Sequence, residues 1–232
     1  MARSQVVGSV LKTVLWDVLE YYWRVCGSLH TMTRSQVTAL PRRRTLTARQ
    51  SDLLNRLEEL FLAEGFAGFT LDDLAARMRC SKSTLYALAP SKEQLSVQVV
   101  SHFFKKATSR IEERIAEVAD VRARIGDYLS AAADELRPAS REFIADIAAF
   151  PPARAVYELN ARAAAARIRS LIAEGVKLGE FRDVHAALVS EMVGLTIEHI
   201  HLGVIAKRTG LSDAEAFEAL AEFLLGGLSP SA

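Results

Sequence analysis

The stretch from Thr70 to Leu95, TLDDLAARMRCSKSTLYALAPSKEQL, constrains the fold more than any other part of the chain. Three helix starts follow one another there, each marked by a hydroxyl side chain that can accept a hydrogen bond from a backbone N–H in the first turn. These starts are Thr70 with Asp73, Ser81, and Ser91 with Gln94. Pro90 predicts the end of the second helix, because the residue before a proline is disfavoured in helical conformation. Two short helices joined by a tight turn predict a helix-turn-helix, whose second helix fits the major groove of DNA.

An earlier helix is predicted to brace this motif. Thr47 with Gln50 forms another capping box, and Gly65 marks a C-terminal stop. Between them, apolar residues recur at helical spacing on one face: Leu53, Leu54, Leu57, Leu60 and Phe61. The sequence therefore predicts a three-helix head.

The segment from Thr47 to Leu95 resembles the DNA-binding domain of TetR-type transcriptional regulators. Four motifs carry the resemblance: LFLAEGF (Leu60 to Phe66), TLDDLAARM (Thr70 to Met78), STLY (Ser83 to Tyr86) and APSKEQL (Ala89 to Leu95). The rest of the chain is similar only in helical layout and length. Two residues depart from the family pattern, Arg79 where the turn usually has Gly and Ala89 where a Phe is usual.

The predicted DNA contacts fall into two kinds. Lys82 and Ser83 stand near the start of the second helix of the motif, where side chains can meet base edges. The resemblance implies phosphate contacts for Thr84, Tyr86 and Lys92, and the basic arm before Thr45 could follow the DNA backbone. The full predicted set is Arg42, Arg43, Arg44, Thr70, Ser81, Lys82, Ser83, Thr84, Tyr86 and Lys92. The competing interpretations are a core aromatic for Tyr86, a solvated cap for Lys92 and a solvated basic linker for the arm.

The N-terminal extension, residues 1–44, has two interpretations that the residues leave open. It carries seven basic residues against two acidic ones, so positive charge is concentrated just before the head. The stretch from Val6 to Cys26 fits an amphipathic helix, and four charged residues within it argue against a membrane span. MTRSQV at Met32 also echoes MARSQV at Met1, and a start at Met32, with residues 1–31 a start-site artefact, would leave a conventional short arm.

Everything beyond the head shows helical periodicity, which predicts an all-α fold. Helices are expected at Lys92–Ala116, Arg122–Leu136, Ser140–Ala149, Pro152–Glu174, Val184–Lys207 and Asp213–Leu225. The predicted organisation is an N-terminal three-helix helix-turn-helix domain at residues 45–95 and a C-terminal helical ligand-binding and dimerisation domain at residues 96–232. Two cysteines form no disulfide framework, and the sequence shows neither a catalytic constellation nor a metal-ligand motif. No enzymatic activity and no cofactor are therefore predicted.

The body offers a candidate ligand pocket and a candidate dimer interface. An apolar pocket with a few polar groups is the usual form of a small-molecule site. Its candidate lining is Phe103, Tyr128, Phe143, Phe150, Tyr157, Met192 and His199. The last two helices each carry an apolar stripe, which predicts a four-helix interface with a second copy, and the resemblance implies pairing in the same place. The candidate interface residues are Val189, Met192, Val193, Thr196, Phe217, Leu220, Phe223 and Leu224. Packing inside a single chain is the alternative for both sets.

The resemblance implies a homodimeric regulator, a repressor that a small-molecule ligand releases from a near-palindromic DNA operator. The two cysteines, with no disulfide framework, fit a cytoplasmic location. In that mechanism, ligand binding shifts the helix that begins after Ser91 and changes the separation of the two recognition helices. The partners expected are double-stranded DNA, the ligand and a second copy, with no membrane. One alternative is a helical small-molecule-binding module with weak or lost DNA binding. A further alternative is a membrane-surface protein that uses residues 6–26.

Overall fold

The computed structural model describes residues 46–229, which form ten helices and no strand. The predicted all-α fold class is confirmed. Three helices make up the head: α1 (Ala48–Glu64), α2 (Leu71–Met78) and α3 (Lys82–Tyr86). The predicted residues begin them. Thr47 and Thr70 form capping boxes with Gln50 and Asp73, and the Ser81 side chain accepts from the Thr84 N–H. Helix α3 ends at Tyr86, earlier than Pro90 predicts.

The turn between α2 and α3 explains how the chain manages without the usual glycine. Arg79 adopts the left-handed conformation, with φ 51° and ψ 48°. Its N–H donates to the Ala76 carbonyl and the Cys80 N–H donates to the Ala75 carbonyl, so the last carbonyls of α2 are satisfied. A non-glycine residue in this conformation costs about 1–2 kcal/mol. The turn therefore keeps its geometry at a cost in backbone strain.

The body consists of seven further helices. They are α4 (Lys92–Ile115), α5 (Val121–Leu136), α6 (Arg141–Ala149), α7 (Pro151–Leu178), α8 (Ala186–His201), α9 (Val204–Thr209) and α10 (Asp213–Leu228). The prediction of one helix over Val184–Lys207 is wrong. The helix is interrupted after Leu202, because Gly203 adopts a left-handed φ of 66° between the end of α8 and the start of α9.

Helix α7 is longer than predicted because Gly175 lies inside it. The predicted end at Glu174 is wrong, because the helix continues to Leu178 and is capped by Gly179, whose φ is 77°. Gly175 is buried against the ring of Phe181, and a Cβ at residue 175 would overlap that ring. The glycine is thus a packing residue rather than a helix stop.

This contact makes Gly175→Ala a test of the packing. Overpacking a core costs about 1–3 kcal/mol, more than the roughly 1 kcal/mol that alanine gains in helix propensity. We expect a lower free energy of unfolding in urea. The matched control is Gly126→Ala in α5, where a Cβ would stand 3.6 Å from Leu225 Cδ1, an ordinary contact. Equal effects of the two substitutions would contradict the packing.

The head and the body share one hydrophobic core. Buried residues of α1, α2 and α3 pack in the same cluster as residues of α4, α6 and the start of α7, including Phe61, Phe66, Phe103, Phe143 and Val156. A second cluster joins α4, α5, α7, α8 and α10. The head is therefore packed directly against α4 and α6. Among the described helices, none has the length and apolar character needed to cross a membrane.

Candidate nucleic-acid interface

Helix α3 is anchored by one side chain and presents the others to solvent. Leu85 is fully buried in the core, whereas Ser81, Lys82, Ser83 and Tyr86 are exposed. Tyr86 has 51 % of its surface exposed, which excludes the alternative of a core aromatic in the described chain. The predicted base-reading and phosphate-contacting residues thus share one outward surface, with Thr84 partly exposed at its edge.

The hydroxyl groups at the start of α3 form a small network. Ser81 Oγ lies 2.7 Å from Ser83 Oγ and 2.9 Å from Thr84 Oγ1, and it accepts the N–H of Thr84 at 3.3 Å. These bonds fix the first turn of the helix. They also leave hydroxyl groups in an exposed position where phosphate or base-edge acceptors can be met.

Lys82 has a carboxylate partner in the described structure. Its Nζ lies 2.6 Å from Asp72 Oδ1 of α2, and this hydrogen bond raises the pKa of the Lys82 ammonium. Both side chains are exposed, so the pair contributes little to stability. Asp72 thus lies beside the lysine at the outer surface of α3. The sequence alone does not predict this partner, which lies on the preceding helix.

Lys92 and Thr70 both have hydrogen-bond partners, Lys92 in the turn between α1 and α2 and Thr70 in α2. Lys92, the first residue of α4, donates from Nζ to the carbonyl of Ala67 at 2.7 Å. The Thr70 hydroxyl donates to Asp73 Oδ2 at 2.6 Å, and the Thr70 N–H donates to the same oxygen at 2.8 Å. The hydroxyl hydrogen bond lowers the pKa of Asp73. Both predicted contact residues are therefore accessible but already partnered. The predicted arm, Arg42, Arg43 and Arg44, lies outside the described residues.

The seven candidate pocket residues do not line one cavity. Phe103, Phe143, Phe150 and Tyr157 belong to the core shared by the head and the body, where Phe103 and Phe143 pack edge to face at 5.8 Å. Burial raises the pKa of Tyr157 to about 12. Tyr128 belongs to the second cluster, and the remaining two, Met192 and His199, are exposed on α8. The seven residues therefore lie in three separate environments and do not form a single pocket in the described structure.

A cleft of about 410 Å³ opens instead beside the head, between α1, α4 and the end of α5. Phe103 is the one pocket candidate that lines it, and its walls also carry Glu58, Arg110 and Glu135. Arg110 pairs with Glu135, and Glu58 is buried with Lys106 Nζ 3.0 Å from its Oε1. Burial raises the pKa of Glu58. Charged residues are thus part of the lining of this cleft, whereas the predicted pocket was mainly apolar.

The candidate dimer residues divide between the core and the surface. Val193, Phe217 and Leu224 are buried within the single chain, because α10 packs against α8 and α5. Val189, Thr196 and Leu220 are partly buried. What remains outside is an exposed apolar face, and its large members are Leu188, Met192, Leu195, Leu202 and Phe223. The first four recur at helical spacing along α8 and its C-cap. Phe223 has 76 % of its surface exposed, and exposing so large an apolar ring to water is unfavourable.

The structure also shows a residue that the sequence analysis missed. Asp146 of α6 accepts hydrogen bonds from the backbone N–H groups of Phe66 at 2.5 Å and Ala67 at 2.7 Å. The carboxylate stands 80 positions along the chain from its first partner, and no local pattern marks it. The turn between α1 and α2 is thus held by the body.

Comparisons with known proteins agree with this architecture. Residues 53–99 match the family described as bacterial regulatory proteins, tetR family. No curated protein sequence matches the chain. A regulator from Saccharomonospora viridis, solved in complex with choline, superposes with a TM-score of 0.66 at 19 % identity, over 78 % of this chain and 97 % of that one. PfmR of Thermus thermophilus, a TetR family regulator, gives 0.57 at 22 % identity, over 77 % and 99 %.

A third similar structure is the regulator FadR of Bacillus subtilis in complex with stearoyl-CoA. It gives a TM-score of 0.60 at 15 % identity, over 77 % of this chain and 98 % of that one. All three similar structures are transcriptional regulators, and they share the fold of this chain. More particularly, residues 53–99 are a DNA-binding helix-turn-helix of the tetR family, and the resemblance found in the sequence is confirmed.

Proposed function

We propose that this chain is a homodimeric, ligand-responsive repressor that acts on a near-palindromic operator in the cytoplasm. Residues 45–95 would bind DNA, residues 96–232 would bind the ligand and the second copy, and the arm at Arg42 to Arg44 would add phosphate contacts. The observation that carries the proposal is the outward surface of α3. Lys82, Ser83 and Tyr86 are exposed there while Leu85 fixes the helix to the core.

The exposed apolar face supports the homodimer. Two neighbouring helices, α8 and α10, present Met192 and Phe223 to solvent. A two-fold pairing of these helices buries the same residues on both copies, as a self-complementary interface requires. Two recognition helices related by the two-fold axis then meet half-sites one helical turn of DNA, or a multiple of it, apart.

A ligand is supported by two of the similar structures, which were solved with choline and with stearoyl-CoA. Their body helices have the fold found here, although the molecules they hold differ in chemistry. We propose that the body of this chain also binds a small molecule. Binding would change the separation of the two heads and release the operator.

Selection of DNA duplexes from a randomised library tests the proposal, because the operator sequence need not be specified in advance. The proposal expects enrichment of a two-fold sequence and binding that weakens steeply with salt, as phosphate contacts require. Failure to enrich any sequence, with no salt-dependent binding, would favour the alternative of a ligand-binding module without DNA affinity.

Substitutions then separate residues that read bases from residues that hold phosphates. Lys82→Ala should reduce discrimination at one position per half-site by about ten- to a hundredfold, because a lysine can read guanine O6 and N7. Tyr86→Phe and Lys92→Ala should lower affinity for all sequences in proportion, and Lys92→Ala should reduce the salt slope by about one per subunit. The measurement is fluorescence anisotropy against the selected duplex and its single-base variants at two salt concentrations.

Lys177→Ala is the matched control, since it removes the same charge from the last turn of α7 in the body. It should change neither base preference nor the salt slope. If Lys92→Ala altered base preference while Lys82→Ala did not, the assignment of roles along α3 and α4 would be wrong.

A further inference from the structure

We propose that Asp146, a residue of the body, is the positioning residue through which α6 fixes the orientation of the DNA-binding head. The inference rests on the proposed function, since it assigns Asp146 a part in DNA binding without contact to DNA. It starts from one carboxylate oxygen. Asp146 Oδ2 accepts both the Phe66 and the Ala67 backbone N–H, at 2.5 and 2.7 Å.

The chain around this oxygen is built to admit it. Gly65 ends α1 with φ +74°, and a Cβ on residue 65 would stand 2.6 Å from Asp146 Oδ2. Only glycine combines that backbone conformation with that free space. Two successive N–H groups pointing at one anionic oxygen form strong, charge-assisted hydrogen bonds. The turn after α1 is therefore shaped around a carboxylate from another part of the chain.

Contacts on either side of Asp146 also attach α6 to the head, so the attachment does not depend on Asp146 alone. The Ser140 N–H, at the start of α6, donates to the Leu62 carbonyl in the last turn of α1 at 2.7 Å. The rings of Phe143 and Phe150 each pack edge-on against Phe66 at 6.2 Å. The buried Phe66 is thus held by its ring and by its backbone. Among these contacts, the hydrogen bonds to Asp146 fix the orientation of the turn, because hydrogen bonds depend on angle more than ring packing does.

The turn held by Asp146 leads directly to the predicted DNA contacts. The Ala67 N–H donates to Asp146 Oδ2, and the Ala67 carbonyl accepts from Lys92 Nζ, at 2.7 Å in both cases. Thr70, the N-cap of α2, follows three residues later. One short turn therefore lies between a body carboxylate and the lysine expected to bind phosphate. Body and head are joined at the place where the head is proposed to meet DNA.

The carboxylate also connects to the helices proposed to form the dimer. Phe150 ends α6 and is the N-cap residue of α7, and α7 packs against α8. In a dimer, the separation of the two heads is set by this series of rigid elements. Loosening Asp146 leaves each head able to bind DNA but allows the two heads to lose their common geometry. Joint binding to two half-sites then suffers far more than independent binding.

The test uses the full chain with Asp146→Ala and Asp146→Asn. The DNA probes are the duplex selected from the random library and a duplex of scrambled sequence. Asp146→Ala should weaken binding to the selected duplex about tenfold or more, and binding to the scrambled duplex by no more than about twofold, because non-specific phosphate contacts need no fixed head separation. Asp146→Asn keeps an acceptor oxygen but loses the charge, so its effect should fall between wild type and alanine.

Hydrogen exchange of the peptide that contains Phe66 and Ala67 gives an independent readout. Exchange of these two amides should accelerate in Asp146→Ala, with helix content and sedimentation unchanged. Glu142→Gln is the matched control. It removes a carboxylate one turn earlier on α6 that makes no hydrogen bond to another described residue, and it should leave both readouts as in wild type.

Each outcome decides the matter. Faster exchange with unchanged affinity for the selected duplex would overturn the positioning role, as would unchanged exchange. An equal loss on both duplexes would also overturn it, because a merely structural defect lowers all binding alike. If the wild type selects no sequence, the proposed function fails and the inference fails with it. If the wild type selects a sequence that Asp146→Ala binds as well, the inference alone fails.

Discussion

Replacing Phe223 with glutamate should convert the proposed dimer into a folded monomer. The ring is exposed over 76 % of its surface in the single chain, so the substitution disturbs little of the chain's own packing. In the proposed dimer the same position is buried twice, once per copy. A carboxylate left without a partner in such an interface costs about 3–5 kcal/mol. Sedimentation velocity at several protein concentrations measures the result.

Two companion variants sharpen that experiment. Phe223→Leu keeps the position apolar and should remain dimeric, which separates the effect of charge from the effect of altering the residue. Met192→Glu introduces the same charge on α8, whose side chain at that position is 53 % exposed, and should also dissociate the dimer. A Phe223→Glu protein that dimerises with wild-type affinity would place the interface elsewhere.

Truncating Phe143 to alanine should cost about 3–5 kcal/mol of unfolding free energy, the range for a fully buried aromatic. Its ring is almost completely inaccessible and packs edge to face with Phe103 at 5.8 Å and edge-on with Phe66 at 6.2 Å. The substitution removes the centre of the packing between α4, α6 and the head. Urea unfolding at a fixed protein concentration measures the loss, since dimer stability depends on concentration.

Tyr86→Ala is the matched control, an aromatic truncation at an exposed position of α3. Surface substitutions of this kind usually change stability by no more than about 0.5 kcal/mol. A loss for Phe143→Ala below about 1 kcal/mol, well under the range for a buried ring, would show that α6 is not packed against the head.

The parts of the fold that the sequence predicts are those decided within a few residues. The capping boxes at Thr47 and Thr70 and the N-caps at Ser81 and Ser91 are local hydrogen-bonding patterns, and all four begin helices. Helix ends proved harder to predict. Gly175 stays inside α7 because Phe181 packs on it, and nothing adjacent to a glycine shows whether it ends a helix or makes room for a ring.

The parts that could not be predicted depend on which distant residues meet. Phe143 and Tyr128 are both buried aromatics on body helices, yet they belong to separate cores. The pairing of Asp72 with Lys82 depends on the angle between α2 and α3, and the contact of Asp146 with Phe66 crosses 80 positions. Periodicity identifies a buried face but does not name what covers it.

The core that runs from α1 into α7 has a consequence for exchanging heads between regulators. A graft cut at Leu95 would bring a foreign α1, α2 and α3 onto the native α4 and α6. The foreign turn after α1 would then need a glycine at the position that faces Asp146. It would also need an aromatic ring to fill the space between Phe143 and Phe150. Chimeras that carry α6 along with the head avoid both requirements. The unit that can be transplanted is thus discontinuous in sequence, and it includes a helix that begins only at Arg141, far beyond the apparent boundary.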